Sequence, residues 1–317
     1  MTASEPQRQD GLSYAIGAYL IWGLLPLYLR LVHAVPPTEF VGWRVVCTVP
    51  VCIAIVSFRR QWPDVIAALR NPRALLALLA SALLIGGNWL IYVIAIQSGH
   101  VFAASLGYYI NPLVNVLIGT IFLGERLGWR QWLASAVAAV GVAVLAWGAR
   151  DMLLISVALA GTFGLYGLVR KLAPVGSLPG LTVEPALLLA PAVAWLAWLG
   201  HGPAETHFGH DAWLTTIIAL SGVVTAVPLL LFAIAARRMD YSALGFAQYV
   251  APTIVFATGL LVFDEPLRTV QIVSFVLIWA SIAIFSWDLI AQRRAASARH
   301  ELVPAAEEIR RVDREPV

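Results

Sequence analysis

Residues Tyr109 to Gln131 read YINPLVNVLIGTIFLGERLGWRQ, and residues Tyr249 to Gln271 read YVAPTIVFATGLLVFDEPLRTVQ. The two stretches align without a gap at an offset of 140 residues (249 minus 109), so Tyr109, Pro112, Glu125 and Gln131 recur as Tyr249, Pro252, Glu265 and Gln271. Working outward, the same offset pairs Ile94 with Ile234, Ala95 with Ala235, Ala103 with Ala243, Gly119 with Gly259, Leu127 with Leu267, Ala143 with Ala283 and Trp147 with Trp287. The chain reads as an internal duplication. Repeats that each hold an odd number of membrane spans must lie in opposite orientations, which is the architecture of many secondary transporters.

The rest of the chain supplies the spans. Of its 317 residues 60% are apolar and 12% charged, and its mean hydropathy is +0.81, which excludes an ordinary soluble domain. A helix needs about 20 mostly apolar residues to cross the hydrocarbon core. Such stretches are expected at about 13–32, 38–57, 74–96, 101–123, 130–148, 152–170, 180–199, 212–236, 241–263 and 267–288. These segments are apolar on every face rather than alternating, which favours helices over barrel strands. The expected fold is an all-α integral membrane protein of about ten transmembrane helices in two inverted five-helix repeats, 13–148 and 152–288. A cytoplasmic segment, 1–12, precedes them and a mobile cytoplasmic tail, 289–317, follows.

Basic residues set the orientation, because cytoplasmic loops are enriched in Arg and Lys. Arg59, Arg60, Arg70, Arg73, Arg126, Arg130, Arg170, Lys171, Arg237 and Arg238 fall in alternate connections, with Arg293 and Arg294 in the tail. Arg30, Arg150 and Arg268 fall opposite. Both termini are therefore expected in the cytoplasm, with the first span as an uncleaved anchor. This sorting accounts for the net charge of +3 and the pI near 9.0, so basic residues face lipid headgroups and no nucleic-acid partner is read from them.

Several chemistries find no support. Cys47 and Cys52 stand five apart on one helix and point in different directions, which excludes a disulfide between them. There is no Walker A loop, G-x-S-x-G elbow or H-E-x-x-H helix, so neither an ATPase nor a familiar hydrolase is indicated. His201, His207 and His210 share the longest external loop without cysteine or helical spacing, which reads as a solvated loop before a metal site. No cofactor and no metal is expected.

Polar residues inside spans are the functional candidates, because such groups turn toward the bundle interior or a wet cavity. Ser105, Tyr108, Pro112 and Asn115 share one face of the fourth span, flanked by Tyr109 and Asn111. The competing reading is that Asn and Ser tie helices together. Pro112 and Pro252 each remove a backbone hydrogen bond at corresponding places, and matched interruptions in two repeats point to a midplane transport site with the prolines as hinges. Asn88 and Tyr92 in the third span, Gln248 and Tyr249 in the ninth, and Thr225 and Pro228 in the eighth face the same space, with Trp22 and Trp89 available as aromatic walls. Arg44 either binds an anion in the cavity or snorkels to the interface. Glu39 is its partner or a first-turn carboxylate. Glu184 is the carboxylate available for proton coupling, against a reading as an interfacially solvated group. Glu125 and Glu265 read as helix caps or loop anchors.

The residues also carry a resemblance. Gly86-Gly87-Asn88-Trp89, Ser105-Leu106-Gly107-Tyr108, Ile110-Asn111-Pro112-Leu113-Val114-Asn115, Leu123-Gly124-Glu125-Arg126 and Tyr166-Gly167-Leu168-Val169-Arg170-Lys171 resemble the RarD branch of the EamA transporters, in the drug/metabolite transporter superfamily. Leu244-Gly245-Phe246 and Gln248-Tyr249 extend the likeness, which runs from about residue 11 to 290. It implies ten helices in two inverted repeats, a central cavity and solute export across a bacterial inner membrane, with a chloramphenicol-type phenotype attached to the branch. Trp43 stands before Arg44 where the branch carries His, and Asp264-Glu265-Pro266 replaces a Gly-Glu-Lys-like turn.

The expected function is a permease for a small amphipathic or zwitterionic metabolite or drug, working by alternating access and not an enzyme. Its partners are a small-molecule solute and membrane lipids, with protons as a possible coupling ion and the oligomeric state unassigned. A membrane-embedded enzyme or lipid-handling protein is the rival reading.

Overall fold

The computed structural model describes residues 5–97, 101–147, 153–201, 206–262 and 269–312. Among these, thirteen helical segments and no strands occur: α1 Glu5–Gly23, α2 Leu25–Leu31, α3 Pro37–Phe58, α4 Trp62–Arg70, α5 Pro72–Gln97, α6 Val101–Phe122, α7 Trp129–Trp147, α8 Leu153–Leu172, α9 Ser177–Gly200, α10 Ala212–Arg238, α11 Tyr241–Gln248, α12 Val250–Val262 and α13 Thr269–Val312. Eight candidate spans have the length and apolarity to cross a membrane, and α6 adds a shorter apolar stretch, Leu106–Phe122. The fold is that of an all-helical membrane protein.

Every expected span falls on a helix, but two are split. The first breaks at Leu24, where Pro26 leaves the Trp22 carbonyl without its usual donor. The ninth breaks at Tyr249, between α11 and α12. The fourth does not: α6 runs through Pro112, just as α3 runs through Pro50, α9 through Pro185 and Pro191, and α10 through Pro228. The symmetric interruption expected at Pro112 and Pro252 is therefore present on one side only: the helix continues through Pro112 and breaks at Tyr249, before Pro252.

Two features were not foreseen. The short helix α4 packs Val65 and Ala68 into a cluster with Val56, Leu78, Val175 and Leu178, an amphipathic arrangement too short to register as a span. The expected mobile tail continues α13 as helix to Val312, consistent with its Ala, Glu and Arg content.

The helices associate in matched pairs. Shifting by five spans carries the α5–α8 interface onto α10–α1, α3–α10 onto α9–α5, and α6–α8 onto the packing of α11 and α12 with α1. The remaining large interfaces, α7–α13, α3–α9 and α6–α11, join corresponding elements to each other. Close approach depends on small residues. A Cβ on Gly222 of α10 would meet the Cys47 carbonyl of α3, and one on Gly245 of α11 would meet the Pro112 carbonyl of α6.

Gly222→Ala should therefore push α3 and α10 apart at a cost of about 1–3 kcal/mol, typical of overpacking. In detergent its thermal inactivation midpoint is expected below that of the parent protein. Gly161→Ala, whose added methyl meets nothing within 4 Å, should leave the midpoint unchanged.

Candidate functional site

At the middle of the bundle, α6 crosses α11. Asn115 donates its amide to Gln248 Oε1 at 3.1 Å, and Tyr109 donates to the Pro252 carbonyl at 3.5 Å. The two prolines matter here even where the helix continues. Pro112 offers no N–H to the Tyr108 carbonyl, and Pro252 offers none to that of Gln248. Both residues flank the crossing, and they differ between the two copies of the repeat.

Beside the crossing, Asn88 of α5, Gly107, Tyr108 and Asn111 of α6, and Leu159 and Phe163 of α8 line a cavity of about 10 Å³, space for roughly one water-sized centre. Asn88 is partly committed: its amide nitrogen donates to the Leu159 carbonyl and to Thr162 Oγ1, each at 2.8 Å. Asn111 is not. It is 2% exposed, and its Oδ1 has no hydrogen-bond donor. Buried polar atoms are nearly always bonded, so an orphan acceptor at a cavity wall is informative.

Arg44 of α3 reaches toward the same region. Its Nε donates to Thr225 Oγ1 of α10, and its guanidinium carbon lies 4.7 Å from the centre of the Trp89 ring. The group is within electrostatic reach of the Tyr108, Tyr28 and Tyr92 hydroxyls, and the Tyr92 and Tyr108 rings pack edge to face at 6.3 Å. No carboxylate among the described residues lies within ion-pair distance of Arg44. The guanidinium thus points among aromatic side chains of neighbouring helices.

Glu39 is not its partner. Five residues apart on a helix put the two on different faces. Glu39 instead accepts from the His207 backbone N–H at 2.7 Å and from Trp43 Nε1 at 3.3 Å, and pairs with His207 Nδ1 at 2.9 Å. Phe208 stacks on Trp43 with ring centres 4.1 Å apart. The loop between α9 and α10 is thereby fastened over the start of α3. His201, the next histidine of the trio, bonds the Ala197 carbonyl of its own helix.

Glu184 departs from the interfacial reading. It is 2% exposed and lies 3.4 Å from Arg170 Nε of α8. Ser81 of α5 and Tyr166 of α8 also donate to its carboxylate. Arg170, itself 1% exposed, donates to the Ser177 carbonyl at 2.7 Å. It fits because Gly180 carries no side chain where the guanidinium lies. The burial that sequence position alone did not suggest is made tolerable by this countercharge.

Glu125 caps the start of α11. Its carboxylate accepts from the backbone N–H groups of Tyr241 and Ser242 and from Ser242 Oγ. Gly124, with φ of +66°, turns the chain after α6 so that this carboxylate reaches the helix end. Glu265, its counterpart in the repeat, lies outside the described residues.

Of the candidates, Arg44, Tyr92 and Tyr108 come together, Asn88, Tyr108 and Asn111 share the cavity, and Asn115 joins Gln248. Tyr249 does not join them. It packs with Leu106, Tyr109, Phe246 and Ile278 against α7 and α13. The Ser105 side chain is outside the described residues. Phe163, Leu159, Ser81, Tyr166 and Arg170 were missed: the first two look like any apolar residue of a span, and the pairing of Arg170 with Glu184 spans a turn between helices.

The EamA-like transporter family matches residues 9–147. The chain is 40% identical to Protein RarD of Salmonella typhimurium over 289 residues, covering 91% of this chain and 98% of that one. It is 39% identical to an uncharacterized transporter of Vibrio cholerae over 296 residues, covering 93% and 98%. A solved crystal structure at 21% identity shares the fold, with a TM-score of 0.70 over 87% of this chain and 97% of the other. The protein is thus a multi-pass membrane protein of the transporter class. It belongs to the RarD branch of the EamA family.

Removing one member of the buried ion pair leaves the other uncompensated, at a cost of about 3–5 kcal/mol. Arg170→Ala and Glu184→Ala should each lower the thermal midpoint in detergent sharply. The double change Arg170→Met with Glu184→Leu should recover much of the loss.

Proposed function

We propose that the chain is a secondary transporter that moves a small solute out of the cytoplasm by alternating access, without changing it chemically. The observation that supports this most is the set of unmatched polar groups on α6, α11 and α3. Asn111 Oδ1 lacks a donor at the cavity wall, the Tyr108 and Gln248 carbonyls lack their usual helical donors, and Arg44 of α3 lies within electrostatic reach of Tyr108. Stability gives no reason for a membrane protein to hold such groups there. A solute that completes their bonding does. In this conformation the cavity has space for about one water, so it must widen to hold the solute.

The matched interfaces support two inverted repeats, 13–148 and 152–288, that rock about the α6–α11 crossing. The break at Tyr249 supplies the flexible element, with Pro252 keeping it open. Basic residues cluster at one end, where Lys171 bonds the Ala236 and Met239 carbonyls and Arg237 bonds that of Ala173. This end is assigned to the cytoplasm of a bacterial inner membrane by the positive-inside rule. The Glu39–His207 end then faces outward.

Sealed proteoliposomes loaded with candidate solutes should show movement down a gradient with the solute recovered intact; chemical conversion without flux would replace transport by catalysis. Pro252→Ala restores a donor to the Gln248 carbonyl and should slow flux severalfold at equal protein level, whereas parental flux would remove the Tyr249 break from the mechanism. A reporter fused after Asp288 should be cytoplasmic, and an external signal would overturn the orientation.

A further inference from the structure

The functional reading leaves the solute open, and the charge balance of the cavity narrows it. Arg44 has five N–H donors, of which Nε alone has an acceptor among the described residues, Thr225 Oγ1. The terminal nitrogens form a fork that matches a carboxylate bidentately. An unpaired cation in a span is costly, and one face of this one is already covered by Trp89. Among the described residues no carboxylate reaches it: Glu39 is held by His207 and Trp43, and Glu184 by Arg170, Ser81 and Tyr166.

The same accounting argues against a positively charged group. No acidic residue lines the cavity among the described residues, so an ammonium placed there would meet the Arg44 charge with nothing to offset it. The cavity lining, which Arg44 reaches through its neighbour Tyr108, offers one buried acceptor, Asn111 Oδ1, still without a donor. Leu159 and Phe163 supply apolar surface beside it, and Tyr92 and Tyr108 supply ring edges.

On the reading that this cavity is the transport site, we infer that its solute is a small organic monoanion: a carboxylate held by the Arg44 fork, an apolar or aromatic body between the rings, and one neutral O–H or N–H donor for Asn111. The loaded site is then electrically neutral, whereas the empty one carries the charge of Arg44.

The probes are 4-hydroxyphenylacetate, its neutral primary amide, the cation tyramine and the zwitterion tyrosine. Each is tested by thermal shift on the purified full chain and by counterflow of labelled compound in proteoliposomes. The carboxylate is expected to raise the midpoint and the amide and tyramine to leave it unmoved, because a ligand stabilises only the state that binds it. Arg44→Gln should weaken carboxylate binding at least tenfold, with Arg44→Lys intermediate for want of the fork. Asn111→Leu should weaken binding of 4-hydroxyphenylacetate but not of phenylacetate, which has no hydroxyl. If Arg44→Gln does not fold, the ranking of the four probes on the unaltered protein still decides.

Equal shifts by acid and amide, a preference for tyramine or tyrosine, or an undiminished shift in Arg44→Gln would overturn the inference. Counterflow of another probe alongside any of these results would leave the transport reading standing. A carboxylate-specific shift with no counterflow would uphold the anion site and overturn transport through it.

Discussion

Hydrocarbon does not solvate charge, so each charged or hydrogen-bonding group inside the bundle must be satisfied by another part of the chain or by something the chain carries. Much of this molecule follows from that constraint. Arg170 and Glu184 meet it by countercharge inside the protein, with Ser81 and Tyr166 donating to the carboxylate and the Ser177 carbonyl accepting from Arg170. Lys171 and Arg237 meet it by bonding helix-end and loop carbonyls. Arg44 and Asn111 are left partly unmatched, and they lie where helices of both halves converge.

Carboxylates near helix ends join the halves at both ends of the bundle. Glu125, in the loop after α6, receives the first N–H groups of α11, and Glu39, in the first turn of α3, holds the loop before α10 through His207. Each contact joins a segment of the first repeat to one of the second. On the alternating-access reading, contacts of this kind are the ones a rocking motion has to break and remake. They are polar and close to the bundle ends, where water can replace the lost bonds, unlike the apolar α7–α13 interface.

Much of the fold was legible in the sequence because span length and apolarity are local properties. Ten expected spans fall on helices, and the 140-residue offset anticipates interfaces that come in matched pairs. The helix breaks were less legible. Pro112 and Pro252 look equivalent in sequence, yet α6 is continuous and the ninth span is not. A proline removes a bond, but the packing around it decides whether the helix bends. The site was legible in part: Asn88, Tyr108 and Asn111 do share a cavity, while Tyr249, at the matching place in the repeat to Tyr109, is packed away from it.

The sequence by itself determined that this chain is a bundle of membrane helices with a polar stripe on the fourth span and an internal 140-residue sequence offset, because hydropathy, periodicity and self-similarity require no partner to be read. Only the tertiary structure decided which charges cancel. Whether Glu39 answers Arg44 or His207, and whether Glu184 faces water or Arg170, depends on which helix faces pack together across more than 10 residues of sequence or more than 100. Those pairings leave Arg44 without a carboxylate among the described residues, and on the proposed reading, in a medium of low dielectric, that is the property on which recognition of a solute turns.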